Sequence, residues 1–333
     1  MGQRRDIGHK LTGHLLETHS IPRFDGKQSR RHEDVAMWRL QLRGARRAIE
    51  NRRQLEQVKT LVQFAGFPRS GHSLVGSLID AHPSARVAHE LDIMGLLARR
   101  MPMTSILALI DEAAQMFTRN GRHWNGYCYY VDGAGHDSAL PPTVLGDKKG
   151  DMAVRRVADQ PALMGRLNRH AGLARKWICV MRNPFDNIAT MSLRASREYD
   201  RLRAESASGE EFSHMLGAAQ ARGDLPREPL TREIDEYERL CRAVEQIQNK
   251  TSASDWFELS HESFSLAPAE SIEAVYSFLD LDSDAEQIQR AASLVHKSTN
   301  KSRDRLSWSR ENIDRVNALI RRYSFLHRYA DAA

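Results

Sequence analysis

The sequence predicts an α/β protein, a doubly wound parallel sheet flanked by helices forming a single domain with helical additions at both ends. Three observations carry that prediction. Short apolar runs, of which Lys59-Thr-Leu-Val-Gln-Phe-Ala-Gly66 is the clearest, alternate with longer stretches of helical period. Two of those runs end in polar turns containing Pro and Arg that open directly into apolar helical patterns. The 333 residues, 41% hydrophobic and 28% charged, have the balance of a folded globular chain and show no internal repeat at a solenoid period.

Residues 1–34 are rich in Arg, His and Gly without a sustained period and read as a poorly ordered or weakly docked arm. Over 34–57, Val35, Met37, Trp38, Leu40, Leu42, Ala45 and Ile49 are spaced for an amphipathic helix with an Arg-rich outer face. Arm and helix make an N-terminal unit of 1–57, and the α/β domain is expected over 58–330. Strands are expected at 59–66, 85–88, 143–146, 176–181 and 256–260, with helical patterns between them. Residues 197–229 are charged and weakly periodic, either a mobile loop or a small helical excursion over the site. From 311 to 329, Ile313, Val316, Leu319, Ile320, Phe325 and Leu326 predict a helix docked on the core.

With 49 basic and 43 acidic residues the formal charge is +6, which suits an anionic ligand but lacks the dense basic stripe of a nucleic-acid binder. Cys128, Cys179 and Cys241 are far apart and lack metal-binding spacing, so neither a disulfide framework nor a zinc site is expected. No stretch approaches the ~18 uninterrupted apolar residues of a membrane span, and Asp6 breaks the myristoylation pattern. The expected location is the cytoplasm.

The most informative segment runs from Phe64 through Pro68-Arg69-Ser70-Gly71-His72-Ser73-Leu74 into an apolar helical run ending at Pro83. A turn between strand and helix aims backbone N–H groups and the helix N-terminus at one point, which makes an anion site. Arg69 adds a forked cation, and Ser70, His72 and Ser73 add side-chain donors. From Gly66 to Ser73 the spacing nearly matches the P-loop pattern GxxxxGK followed by Ser or Thr, so the sheet is expected to be P-loop-like. His72 stands where that pattern needs Lys, which removes the residue that a nucleotide hydrolase or kinase places on the β- and γ-phosphates.

A second layout of the same kind is Trp177-Ile-Cys-Val-Met-Arg-Asn-Pro-Phe-Asp-Asn-Ile-Ala-Thr-Met-Ser192. Pro184 suits the first turn of a helix, and Asp186, Thr190 and Arg194 fall four apart on one face. A strand-end Arg182 beside a helix carrying hydroxyls can grip a phosphate. A short strand ends near His89 and Glu90, and Leu145-Gly-Asp-Lys-Lys-Gly150 places Lys148 at the end of another, with Lys149 its neighbour and Asp147 a secondary site residue.

Together these segments resemble the PAPS-dependent sulfotransferases. The residues 68–74 are similar to their 5′-phosphosulfate loop, with His72 in place of the usual Thr and Leu74 in place of the Trp of the cytosolic phenol and steroid enzymes. Leu78-Ile79-Asp80-Ala81-His82-Pro83 is similar to tyrosylprotein sulfotransferases and many bacterial relatives. The resemblance covers about residues 60–200 well and the C-terminal loop loosely.

It implies transfer of a sulfuryl group from 3′-phosphoadenosine 5′-phosphosulfate (PAPS) to a hydroxyl or amine by in-line displacement, without a required metal. It implies Arg69, Ser70, Gly71, His72, Ser73 and Leu74 at the 5′ end of the donor, and Arg182 and Thr190 at the 3′-phosphate, with Ser192 in reserve. A basic loop would close over the nucleotide, with Lys297 and Arg303 as ligands and Lys301 and Ser302 as neighbours. Glu90, or His89, is the expected base; Lys148 steadies the sulfuryl group, and Arg69 the leaving phosphate.

Two other readings stay open: a P-loop small-molecule kinase using ATP and Mg²⁺, and a nucleotide-binding protein that keeps the cradle without turnover. The acceptor would be a small molecule, carbohydrate or peptide, with no nucleic-acid partner expected. It would meet Trp124, Tyr127, Tyr129 and Tyr130 and residues 195–230, although a buried aromatic cluster fits the four aromatics equally well.

Overall fold

The computed structural model describes residues 30–124, 127–132, 140–170, 172–295 and 300–330, with backbone alone over 30–34. Strands β1 (Thr60–Gly66), β2 (Ala85–Ala88), β5 (Val144–Asp147), β6 (Ala174–Met181) and β7 (Trp256–Ser260) form one all-parallel sheet in the order β2-β5-β1-β6-β7. A separate antiparallel hairpin pairs β3 (His123–Trp124) with β4 (Tyr127–Cys128).

β1 is buried along its whole length, and side chains of a strand alternate between faces. Leu61 and Ala65 therefore join one apolar layer with Trp177, Cys179 and Met181 of β6, and Val62 and Phe64 join the other with Ile178 and Val180. Helices Met103–Arg119, Gly150–Asp159, Thr231–Asn249 and Arg310–Arg322 cover the first face. His72–Asp80, Pro268–Phe278 and Ala285–Ala292 cover the second. Burial on both faces explains the near-continuous apolar strands, and the doubly wound α/β class read from the sequence is the observed one.

The N-terminal helix spans Arg30–Glu50, starting earlier than the periodicity suggests, and breaks at Asn51 before a single turn at Arg52–Leu55. It lies against helix Met103–Arg119 through Met37 and Gly44, where a Cβ would come within 3.0 Å of Ser105 Cβ. Arg43 and Arg47 each reach Glu112 at 2.7 Å. Residues 197–229 contain two helices, Arg197–Glu205 and Gly209–Arg222, with a small core of Tyr199, Leu202, Phe212, Leu216 and Ala219. The C-terminal pattern resolves into Arg310–Arg322 and a 3-10 turn at Ser324–Tyr329. Cys128, Cys179 and Cys241 are free thiols, and no helix among the described residues is long and apolar enough to cross a membrane.

One buried ion pair ties the hairpin to the sheet. Arg122, 1% exposed, donates to Asp80 Oδ2 (2.8 Å), to the Ser77 carbonyl (2.6 Å) and to the Tyr129 carbonyl (3.0 Å). The other oxygen of Asp80 accepts from the Val87 N–H at 2.8 Å. Removing one member of such a pair leaves the other buried and uncompensated. Arg122→Leu is expected to cost about 3–5 kcal/mol in urea unfolding; a loss below about 1 kcal/mol would show that Asp80 finds another partner.

Candidate anion-binding and transfer site

β1 pairs with β5 on one side and β6 on the other, so the chain reverses its winding at the carboxyl ends of β1 and β6. Ligands of open α/β sheets bind in the crevice at such a switch point. Gly66 closes β1 with φ 134°, and a Cβ there would sit 2.4 Å from the Val180 carbonyl oxygen, so only glycine keeps the strands this close. The turn that follows carries Arg69 in the left-handed region at φ 69° and leads through Gly71 into helix His72–Asp80. The first N–H groups of that helix are among those a helix leaves without internal partners.

The side chains of this turn divide into two sets. Ser70 is buried and its hydroxyl donates to the Phe67 carbonyl at 2.8 Å. His72 turns inward, with Nε2 3.0 Å from the Ala65 carbonyl oxygen; a carbonyl only accepts, so Nε2 carries the proton. Burial holds this imidazole below its ordinary pKa. Leu74 packs on the apolar layer and its N–H donates to the Gly71 carbonyl at 3.0 Å. The expectation of side-chain donors from Ser70 and His72 is therefore corrected: both stabilise the turn, and since the Ser70 N–H also bonds the Phe67 carbonyl, only the His72 N–H is left to face outward. Arg69 is exposed at the mouth and makes no ion pair among the described residues. The protein packed around it, and then the charge of Arg194, lower its pKa.

Arg182, at the end of β6, is buried and makes no ion pair among the described residues. Its Nη1 donates to Thr190 Oγ1 (3.2 Å) and its Nη2 to the Asn300 carbonyl and Ser302 Oγ (3.5 Å), while Nε lacks a hydrogen-bond partner. Thr190 Oγ1 lies 2.9 Å from Ser302 Oγ. Burial lowers the pKa of Arg182, and the charges of Asp186 and Glu262, neither of them in an ion pair with it, only partly oppose that fall. Asp186 is committed to Arg303, accepting its N–H at 2.9 Å and pairing with its guanidinium at 3.2 Å. Ser192 accepts from the Leu230 N–H at 3.0 Å, away from this cluster, which distinguishes it from Thr190. Lys297 lies outside the described residues.

The third group gathers at the ends of β2 and β5. Lys148 Nζ donates to Ser73 Oγ at 2.9 Å and to Glu90 Oε1, and Lys149 Nζ is 3.2 Å from Glu90 Oε2. Burial pushes the Glu90 carboxyl up, but the two lysines outweigh it, so its pKa falls below the ordinary range. Asp92 caps the next helix by accepting from the Gly95 N–H at 3.0 Å, which leaves Glu90 free of that task. His89 points elsewhere: 6% exposed, it stacks on Phe117 at 4.3 Å with Trp124 at 5.2 Å and Tyr129 at 5.7 Å. Burial first, and the charge of Lys148 next, hold its pKa well below normal. Asp147 is wholly buried and accepts from the N–H groups of Leu91, Ile93 and Lys149, so its role is to fold the two turns together.

Four contributors escaped the sequence. Asn187 donates to the Pro68 carbonyl and so braces the two turns. His261, at the end of β7, packs against Gly71, where a Cβ would meet its ring at 2.9 Å. Tyr129, read only as an acceptor contact, bonds Ser73, and burial pushes its pKa up to about 12. The Asn300 carbonyl reaches Arg182 from 118 residues downstream. None has a local signal, since each depends on a contact between distant segments. Of the four aromatics, Tyr127 and Tyr130 are exposed, and Trp124 lies 5.7 Å from Lys148 Nζ.

No protein-family profile matches the chain, and no curated protein matches it. Solved structures to which it is similar include the sulfotransferase domain of the Synechococcus olefin synthase, at 12% identity over 75% of this chain and 81% of that one, TM-score 0.35. A sulfotransferase from Mycobacterium avium is similar at 12% identity over 86% and 80%, TM-score 0.42. A mouse sulfotransferase complexed with PAP is similar at 12% identity over 83% and 90%, TM-score 0.38. At these scores the likeness carries no argument about chemistry, which rests on the residues above.

The buried imidazole of His89 has a consequence for stability. The unfolded histidine titrates near 6.5 and the folded one well below it, so the unfolded chain binds the extra proton. Its contribution is whole above about pH 6.5 and is lost as the pH falls from there. Asp147, pushed up to about 6 by burial, acts in the opposite sense. His89→Phe keeps the stack and removes the titration. Between about pH 7.5 and 5.5 the wild type is expected to lose more thermal stability than the variant; parallel curves would sink this account.

Proposed function

We propose that the chain transfers a sulfuryl group from PAPS to an acceptor hydroxyl or amine. The observation that carries this reading is Arg182, a buried guanidinium in no ion pair among the described residues, joined by Thr190 and Ser302 and braced to a second turn whose Arg69 is likewise in none. Two such positions at adjacent strand ends suit a ligand with two separated anionic groups, as in a nucleoside bisphosphate. PAPS, held there, supplies the sulfuryl group.

Arg182, Thr190 and Ser302 bind the 3′-phosphate, with Arg303 alongside through its pair with Asp186. Arg69, the Gly71 to Ser73 backbone and the Ser73 hydroxyl hold the 5′ end, where Arg69 opposes the charge that grows on the leaving phosphate. Lys148, held between Ser73 and Glu90, stands where charge develops on the transferring oxygens. Glu90, ionised and partly exposed, accepts the proton of the acceptor. The Nε2 of His89 is buried without a partner and its ring is stacked on Phe117, which favours Glu90 as the base.

Adenosine 3′,5′-bisphosphate is expected to raise the melting temperature, since a ligand that binds only the folded state stabilises it. Arg182→Ala should weaken that binding at least about 30-fold. A shift with ATP and Mg²⁺ alone would put the kinase reading first. Glu90→Gln should lower kcat by about 10²–10⁴-fold while bisphosphate binding is retained; full turnover in that variant would remove Glu90 as the base.

A further inference from the structure

The N-terminal helix Arg30–Glu50 presents two apolar faces, and among the described residues only one is packed against the rest of the chain. Met37, Leu40 and Gly44 turn toward helix Met103–Arg119. On the other side Val35 (51% exposed), Trp38 (60%), Leu42 (51%) and Ile49 (79%) stand in solvent, with Ala45 exposed among them. Their spacing of three, four, three and four residues is that of alternating a and d positions in a heptad, Val35, Leu42 and Ile49 at a and Trp38 and Ala45 at d. A stripe with this period is narrower than the arc that a globular core or a lipid surface selects, and it fits a single facing helix.

We infer that this seam pairs with the same helix of a second copy of the chain, side by side and in parallel. The flanking charges choose the orientation. Arg39 and Arg46 hold the e positions, while Asp34, Gln41 and Ala48 fall at the g positions of the sequence register. An antiparallel pair sets e against e, bringing Arg39 and Arg46 of the two copies together with no acid between them. A parallel pair sets each g position against the e position five residues on in the other copy, so Arg39 falls opposite position 34, an aspartate, and Arg46 opposite Gln41. Arg39 makes no ion pair among the described residues, and Arg46 is turned to Glu50 of its own helix at 2.7 Å.

Two heptads are too few for an isolated coiled coil, because a free helix must first be nucleated. Here the helix is already fixed by its docked face, so association costs no helix formation. Such a short interface lies at the small end of the range for specific complexes, and a dissociation constant on the order of 10 μM is expected. The contact is isologous and closes on itself, giving a dimer and no larger assembly.

Sedimentation of the full chain from about 1 to 100 μM should show a monomer passing to a dimer across that range. Leu42→Glu, at an exposed position, should weaken association at least about tenfold while the bisphosphate thermal shift and the circular dichroism stay unchanged. Val35→Cys in a Cys128→Ser background should cross-link to itself through a short bismaleimide, since like a positions face each other only in the parallel pair. A monomer at every concentration, a dimer indifferent to Leu42→Glu, or Val35→Cys that joins only to Ile49→Cys would each overturn the inference. So would a monomer that binds anionic vesicles through this stripe, for the occupant would then be a lipid surface.

Discussion

Seven consecutive pairings between β1 and β6, from Thr60–Ala174 to Gly66–Val180, fix where the two cationic turns lie relative to each other. Both strands end at the same level, so the turn carrying Arg69 and the turn carrying Arg182 emerge side by side. A slip of one residue would exchange the two faces of β1, pushing Val62 and Phe64 into the wrong layer, so the apolar pattern on both faces locks the register. Gly66 permits the approach, and Asn187 and Arg182 then stitch the turns through the Pro68 and Arg69 carbonyls. The relative placement of the two anion sites is thus a property of the sheet and not of any flexible segment.

The electrostatics of the two ends differ. Arg182 and Arg69 make no ion pair with a carboxylate among the described residues, so the desolvation cost of Arg182 is offset by carbonyls, hydroxyls and the more distant charges of Asp186 and Glu262. On the proposed reading, an anionic ligand supplies further counter-charge, and its binding energy includes relief of that cost. Around Glu90 both signs are present and already matched, with two lysines on one carboxylate.

The sheet was legible because each strand is buried on both faces and reads as an apolar run; even the four-residue β2 stands at 85–88 where the sequence places it. At 197–222 the sequence left a loop and a helical excursion both open, because the two helices found there enclose only a small core and need few apolar residues per turn. Within the site, the backbone placement of 68–74 followed from the strand-turn-helix pattern, but side-chain direction did not. Ser70 and His72 look like ligands in sequence and are turned inward by the carbonyls of Phe67 and Ala65. Asp147 follows a strand as a catalytic residue would, yet three N–H groups claim its carboxylate. Ser302, read only as a neighbour in the closing loop, reaches Thr190 across 112 residues, a distance that no local pattern encodes.

His89 and Glu90 are neighbours with opposite surroundings, and the difference bears on how a base could work here. Past the end of β2, one side chain enters an aromatic cage and the other meets the lysines. A carboxylate whose pKa is depressed is a weak base, so Glu90 in its resting contacts is poorly matched to proton abstraction. The depression, however, comes from Lys148 and Lys149, and Lys148 is shared with Ser73 on the phosphate turn. On the proposed reading, negative charge at that turn competes for Lys148. Whatever it withdraws from Glu90 raises the basicity of the carboxylate, because an opposite charge has moved away. The shared lysine therefore couples occupancy of the donor site to the strength of the base, and makes proton acceptance easier when a donor is present than when it is absent.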